Sequence, residues 1–378
     1  MKIAEIERFS LRLQPKHLGQ KSAETIIVRV RADSGVSGLG EAAAVGSDAS
    51  RSRSTMLAWL QAYETALIGA DALNINAIGR MLDGVANRHP PGCQAARAAI
   101  DMAVHDLVGK ARGCPVHEIL GGAYRTEFDL FADIAAGTEG GVAAAARSAV
   151  GLGFRGLSVD IGDDLLPPIP TGKSLERKSA DLAAVIEAVG ADVYVDADAN
   201  QSLGNPALVS SMFERILKAR FYPNLALRQP LHVLDFKGHA ALRAKLPIPI
   251  VLEQSVVSPE AMMQIERLGA ADRIILSAER VGGLQSAMRI ADICEAAAIG
   301  VTPAASSCTK IADAAHCHIA AALHDAYPIS VGAYRRFEAT PVTGGFEIRD
   351  GRAILGHAPG LGVELDEVML GSMIDPDR

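Results

Sequence analysis

Residues Asp192–Asp198 read DVYVDAD, a run in which Val193, Tyr194 and Val195 favour extended backbone and which is too short for a helix. Just before it, Leu182, Val185, Ile186 and Val189 fall on one helical face that stops at Gly190. A helix therefore feeds a short strand ending in carboxylates. The same unit recurs on both sides. Phe128–Ala135, Gly156–Ile161, Leu225–Arg228, Ile248–Glu253, Arg273–Leu276 and Gly300–Thr302 are further strand candidates with helical patterns between them. One of those helices has Ser258 as N-cap, Pro259 in its first turn and Gly269 at its end. An eighth strand near Ile329–Gly332 would close a barrel. Repeated βα units with short connections predict a (β/α)₈ barrel rather than an open sheet, since no glycine-rich phosphate turn opens the series. Pro167–Ser174, PPIPTGKS, reads as an insertion in the loop after the second strand.

The chain has 378 residues, more than the roughly 250 of such a barrel, so a smaller partner unit is expected. Ala4–Ala42 supplies strands, with Asp33, Ser34 and Gly35 as a turn inside TIIVRVRADSGVSGLGEA. Ser54–Gly121 is helical in period. Its clearest helix is Gln94–Ala111, with Ile100, Ala103, Val104, Leu107 and Ala111 on one face and Gly113 just beyond. Apolar residues make up 49% and charged residues 21%, which supports a large core, and the low aromatic share of 4% suits helices packed on a parallel sheet.

A formal charge of −7, with no basic run, argues against nucleic acid as a partner. The start, MKIAEIERFSLRL, lacks the apolar core of a signal peptide, and no long apolar stretch follows, so a cytoplasmic protein without a membrane span is expected. Cys93, Cys114, Cys294, Cys308 and Cys317 are odd in number and never spaced CxxC, as reduced thiols would be.

Four segments carry a more specific signal: AAIDMAVHDLVGKARGCPVHEILGG (Ala98–Gly122), VDADANQSL (Val195–Leu203), PIPIVLEQSVVSPEAM (Pro247–Met262) with RVGGL (Arg280–Leu284), and GGFEIRDGRAILGHAPGLGVELDE (Gly344–Glu367). In order and spacing they resemble the enolase superfamily, and within it the mandelate racemase and muconate lactonizing enzymes. The resemblance implies an α+β capping domain over residues 1–125, a modified (β/α)₈ barrel over 126–343, and a segment over 344–378 that returns to the cap. It also implies a homo-oligomer, and a racemase, cycloisomerase or dehydratase that removes a proton next to a substrate carboxylate. In such enzymes Mg²⁺ is held by three carboxylates at the ends of the third, fourth and fifth strands, with lysine or histidine bases on the second, sixth and seventh.

Carried over position by position, Asp198 and Glu253 match the first and last metal ligands. Arg228, before Gln229-Pro230, stands where the family has the middle carboxylate. The two lysine positions of the second strand hold Ser158 and Asp160, and Ser277 stands at the sixth-strand lysine. The seventh strand lacks a histidine, and His316 and His318 are expected as packed or exposed residues of the next helix. Asp198, Glu253 and Arg228 without a metal carry the same net charge as three carboxylates with one divalent cation. A guanidinium forming bidentate bonds between two carboxylates is therefore expected, in place of Mg²⁺.

Two readings follow from these substitutions. In one the site is rewired: Arg228, with Lys21 and Lys310, binds a small carboxylate or amino-acid-like ligand. Asp160 then exchanges a proton, provided burial or a neighbour such as Asp196 or Asp198 lifts it from its usual value of about 4. In the other the polar residues satisfy one another and the barrel is a non-catalytic binder. Lys310 and Glu279 lie in loops that could reach a ligand, Lys16–Ser22 aligns with the loop that closes over substrate, and Asp163 and Asp164 make the neighbouring rim acidic.

Overall fold

The computed structural model describes residues 1–17, 22–44, 51–90, 92–135, 140–162, 172–219, 222–306, 308–325 and 327–374. The N-terminal unit opens with β1 (Ile3–Leu13), β2 (Ala23–Ala32) and β3 (Ser37–Ala43), an antiparallel sheet in that order, with Phe9 opposite Ile27 and Val28 opposite Gly40. The helices α1 (Arg53–Leu67), α2 (Ile75–Ala86), α3 (Gln94–Arg112) and α4 (Val116–Ile119) follow. Helix α3 ends where its sequence predicts, at Gly113 in the left-handed conformation. It lies so close to β3 that a Cβ on Gly40 would sit 1.8 Å from the Ala99 carbonyl oxygen, which explains the small residues of GLGEA.

The chain then passes through β4 (Glu127–Asp129) to the first barrel strand, β5 (Phe131–Ile134), and α5 (Val142–Gly151). The next units are β6 (Gly156–Asp160) with α6 (Gly172–Ala188), β7 (Tyr194–Asp198) with α7 (Pro206–Ala219), and β8 (Leu225–Arg228) with α8 (Phe236–Lys245). They are followed by β9 (Ile250–Leu252) with α9 (Pro259–Leu268), then β10 (Arg273–Leu276) with α10 (Ala278–Val281) and α11 (Leu284–Ala296), and β11 (Gly300–Pro303) with α12 (Lys310–Ala322). Strands β5 to β11 form one seven-stranded sheet in chain order, parallel throughout.

Two expectations are corrected here. Phe128–Ala135 is not one strand, because the backbone changes partner at Leu130: Leu130 N–H donates to the Gly351 carbonyl, and Phe131 N–H to that of Ile329. Ile329–Gly332 is not a full eighth strand either. Single bridges, Leu130 to Ile329 and Ala304 to Ser330, close the curled sheet.

The tail supplies β12 (Val342–Gly344), β13 (Phe346–Arg349), β14 (Arg352–Leu355), β15 (Val363–Leu365) and α13 (Glu367–Met373). It reaches back to the first unit. Leu361 N–H donates to Asp106 of α3 at 2.7 Å, and Ile374 bridges to Leu11 of β1. Inside the sheet, Ala226, Val251, Ile275 and Ala304 form a small apolar plug. At the start of β10, Arg273 pairs with buried Asp196, donates to Thr302 at 2.9 Å, and lies 5.0 Å from the Tyr327 ring. The interior is filled, which leaves chemistry to the C-terminal mouth.

Candidate active site

Strand register assembles the site. Asp160 of β6 is opposite Asp198 of β7, and Asp198 is opposite Arg228 of β8, so three charged residues reach the barrel mouth at one level. Glu253 follows β9 directly. Arg228 Nε donates to Glu253 Oε2 at 2.5 Å, and its Nη2 contacts the same oxygen. Nη1 donates to Ser158 Oγ at 3.3 Å, and Nε stands 3.6 Å from Asp198 Oδ2. Of the two carboxylates between which the guanidinium was expected, it is held tightly by Glu253 and only loosely by Asp198.

Two residues that the sequence reading missed hold this arrangement. Arg280 of α10 donates to Glu253 Oε1 at 2.8 Å and to the Glu253 carbonyl at 3.3 Å. Its positive charge makes the Arg228–Arg280–Glu253–Asp198 group neutral when both carboxylates are ionised. Gln229 is fully buried and has positive φ. Its Oε1 accepts from the N–H groups of Glu253, at 2.9 Å, and Ser255, so the residue after Arg228 fixes the backbone of Arg228's partner. RVGGL and RQP were both visible as motifs; their contact with Glu253 depends on which loops meet.

Unequal pairing separates the two carboxylates electrically. Burial alone would raise Glu253, but the adjacent Arg228 and Arg280 guanidiniums outweigh it and hold the carboxyl at about 2. Burial pushes Asp198 up to about 7, with Arg228 offsetting it only in part and Glu253 and Asp160 adding repulsion. Asp198 also accepts from Asn200 N–H at 3.1 Å, and Asp160 from Gly162 N–H at 2.9 Å.

Other predicted site residues lie elsewhere. Ser277 is buried and donates to Glu279 Oε2 at 2.7 Å. Glu279, expected in a ligand-facing loop, is 1% exposed. It also accepts from Ser306 N–H at 3.2 Å and sits 3.3 Å from His316 Nε2. Both residues are turned into the protein because α10 begins immediately after β10. Lys310 caps the tail instead of facing the mouth: its Nζ donates to the Gly344 and Phe346 carbonyls, each at 3.0 Å. His316 and His318 are packed within α12. Lys21, Asp163 and Asp164 lie outside the described residues.

Beside the cluster is a cavity of about 620 Å³, lined by Asp133, Lys16, His17, Arg335, Arg336 and apolar residues including Phe131 and Ile348. Asp133 of β5, opposite Ser158 in register, was not anticipated from the sequence. It is exposed to the cavity, yet the dense surrounding wall raises its carboxyl above the usual range.

The comparisons agree with this architecture. Residues 8–121 match the mandelate racemase / muconate lactonizing enzyme N-terminal domain, and residues 141–369 match the enolase C-terminal domain-like model. The chain belongs to the mandelate racemase and muconate lactonizing enzyme family. It is 27% identical over 375 residues to an N-succinyl-L-Arg/Lys racemase of Bacillus cereus, covering 97% of this chain and 96% of the relative. A cis-3-hydroxy-L-proline dehydratase of Roseibium aggregatum is also 27% identical, with 90% of this chain and 88% of the relative covered. A solved muconate lactonizing enzyme from Pseudomonas putida superposes with a TM-score of 0.89 at 26% identity, covering 99% of this chain and all of the other.

The family resemblance implies Mg²⁺ at the Asp198 and Glu253 positions, and the donor set here does not fit that ion. Mg²⁺ needs converging oxygen ligands in near-octahedral geometry. The middle position carries the Arg228 guanidinium, itself bonded to Glu253, and among the described residues no group of three potential ligands converges.

Proposed function

We propose that the barrel mouth binds a small carboxylate or amino-acid-like molecule and that Arg228 serves there as a permanent cation in place of Mg²⁺, without metal-assisted α-proton abstraction. The observation that carries this reading is the Arg228 guanidinium lodged against Glu253 and 3.6 Å from Asp198. The base positions point the same way. Ser158 and Ser277 cannot replace lysine ammonium groups as proton carriers, and Ser277 is bound to Glu279 inside the fold. The ligand class is supported by the relatives, whose printed activities concern N-succinyl amino acids, dipeptides, hydroxyproline and muconate.

The test combines ligand binding with isotope exchange in ²H₂O. Amino acids, N-succinyl amino acids and dicarboxylates are screened for thermal stabilisation with Mg²⁺ and with EDTA, and recovered ligands are examined for α-deuterium. Stabilisation that ignores the metal, with no deuterium incorporated, is expected. Racemisation or exchange that needs Mg²⁺ would overturn the proposal. The Arg228→Glu variant rebuilds three carboxylates, and Mn²⁺ binding by that variant, absent from the wild type, is the expected companion result.

A second reading, a metal-independent isomerase or lyase, is favoured by one observation: Asp160 and Asp198 stand side by side at the mouth with their environments pushing the Asp198 carboxyl upward. Deuterium incorporation that survives EDTA and disappears in Asp160→Asn would establish it.

A further inference from the structure

A cavity of about 670 Å³ at the seam between the first unit and the barrel shares no lining residue with the cavity at the mouth. Its walls come from α2, α3 and α4 on one side and α11 on the other, and Gln285 Nε2 of α11 crosses the seam to donate to Asn76 Oδ1 at 2.6 Å. The titratable residues of the lining are Asp71, His105, Arg112, Arg289 and Asp292. Asp71 lies 3.8 Å from the Met1 ammonium and accepts from Leu73 N–H at 3.1 Å. His105 is buried, with Nδ1 2.8 Å from the Asp101 carbonyl oxygen and 3.3 Å from its carboxylate, so these two charges balance. Arg112, Arg289 and Asp292 form no ion pair or hydrogen bond among the described residues, which leaves two cations against one acid. The other ring nitrogen of His105, Nε2, also has no partner among the described residues and is on the side of the ring turned away from Asp101. Burial disfavours the charged ring, but Asp101 outweighs it and raises the imidazole above its usual value, which lets Nε2 carry a proton. Helix α2 begins at Ile75 on the same cavity with no acid in its first turn, and the N–H groups of Ile75 and Asn76 have no carbonyl of their own helix to bond. Leu73, Ile119, Leu120 and Met288 add apolar wall.

Two free guanidiniums, a buried imidazole with an open nitrogen and the positive end of a helix on one cavity form a donor set for an anion. We infer that the seam cavity binds a phosphate monoester, separately from any ligand at the barrel mouth, and clamps the first unit to the barrel. Arg112, Arg289 and His105 Nε2 donate to the phosphoryl oxygens, and the apolar wall takes the organic group. A phosphoryl group offers three oxygens to donors that come from three helices, whereas a carboxylate offers two. The bound ester joins α2 and α3 of the first unit to α11 of the barrel, so its binding adds to the contact between them.

Calorimetry on the full-length protein with phenyl phosphate, inorganic phosphate and benzoate tests it. Phenyl phosphate should bind about ten-fold or more tighter than benzoate, which lacks the phosphoryl group, and tighter than inorganic phosphate, which lacks the apolar body. Arg112→Gln and Arg289→Gln, both at exposed positions, should each weaken phenyl phosphate about ten-fold, and Asp292→Asn should tighten it. Arg215→Gln, an equal change of charge at an exposed position of α7, should leave the affinity as it is, and melting of the unliganded variants confirms that all are folded. Bound phenyl phosphate should also slow hydrogen exchange in α2 and α11. Phenyl phosphate affinity that survives both Arg112→Gln and Arg289→Gln would overturn the inference, as would benzoate binding equally well or no binding of phenyl phosphate at all. Loss of binding in Arg228→Met with full binding in the two seam variants would put the ester at the mouth and overturn it too. Inorganic phosphate that binds as tightly as the ester, with the same dependence on Arg112 and Arg289, would overturn the monoester as the ligand.

Discussion

Arg228 is the residue on which the site's chemistry turns. Arg228 is partly buried, and a guanidinium so placed against carboxylates is held by charge-assisted hydrogen bonds, so that removing one member exposes the cost of burying the others. Arg228→Met leaves Glu253 with Arg280 but strips Asp198 of its nearby cation. The expected loss is about 3 kcal/mol in urea denaturation at pH 8, toward the low end for a broken buried pair because Arg280 remains. Arg228→Lys should recover only part of it, since an ammonium cannot bond Glu253 and Ser158 through a planar fork. The residues of this cluster were legible in sequence because strand ends are fixed points of a barrel. Arg280 and Gln229 were not assigned roles, as nothing in their spacing says that both touch Glu253.

Among the elements, single acids that cap helices contribute to the contact between the first unit and the barrel. Glu41 of β3 is completely buried at the start of α12, accepting from Cys308 N–H at 2.8 Å, Thr309 N–H at 2.9 Å, Thr309 Oγ1 at 2.7 Å and Thr25 Oγ1 at 3.0 Å. Burial raises its carboxyl despite these donors. Glu41→Gln turns one acceptor into a donor that faces other donors, and a loss of about 2 kcal/mol in chemical denaturation is expected. Asp101 of α3 plays the corresponding part at α11, accepting from Leu284 N–H at 2.6 Å. It touches Gly283, whose φ is +123° and whose added Cβ would fall 2.4 Å from Asp101 Cγ. Gly283→Ala should therefore cost at least about 2 kcal/mol and lower the melting temperature, while Gly121→Ala, with open space around it but also positive φ, should cost about 1 kcal/mol. The helix α3 was predictable to within a residue from its apolar period; its capping of the barrel was not, since Asp101 and Leu284 are far apart in the chain.

For the whole molecule, buried neutral histidines tie stability to pH. His239 accepts from Leu231 N–H at 3.3 Å, and burial lowers it to about 4; His318 accepts from His117 N–H at 3.2 Å and is lowered to about 3. Their unfolded values lie near 6.5, so the unfolded chain binds more protons across this interval. Their contribution is complete above about pH 6.5 and is lost as pH falls toward 4 for His239 and 3 for His318, on the order of 3 kcal/mol for His239. The raised Asp198 carboxyl acts in the opposite sense over the same interval, so the histidine effect is read as a difference: from pH 7 to pH 5 the urea midpoint of the wild type should fall relative to that of His239→Gln, and parallel profiles would count against it. The sequence by itself determined the alternation of strands and helices, the family, and the placing of Asp198, Arg228 and Glu253 at or just after strand ends, because periodicity and strand-end position are local and repeat along the chain. Tertiary structure decided the split of Phe128–Ala135 at Leu130, the inward turn of Ser277 and Glu279, and the unequal sharing of Arg228 between Glu253 and Asp198. Those outcomes depend on distances of a few ångströms between residues brought together by closure of the sheet, and electrostatic energy in a buried site changes steeply over such distances.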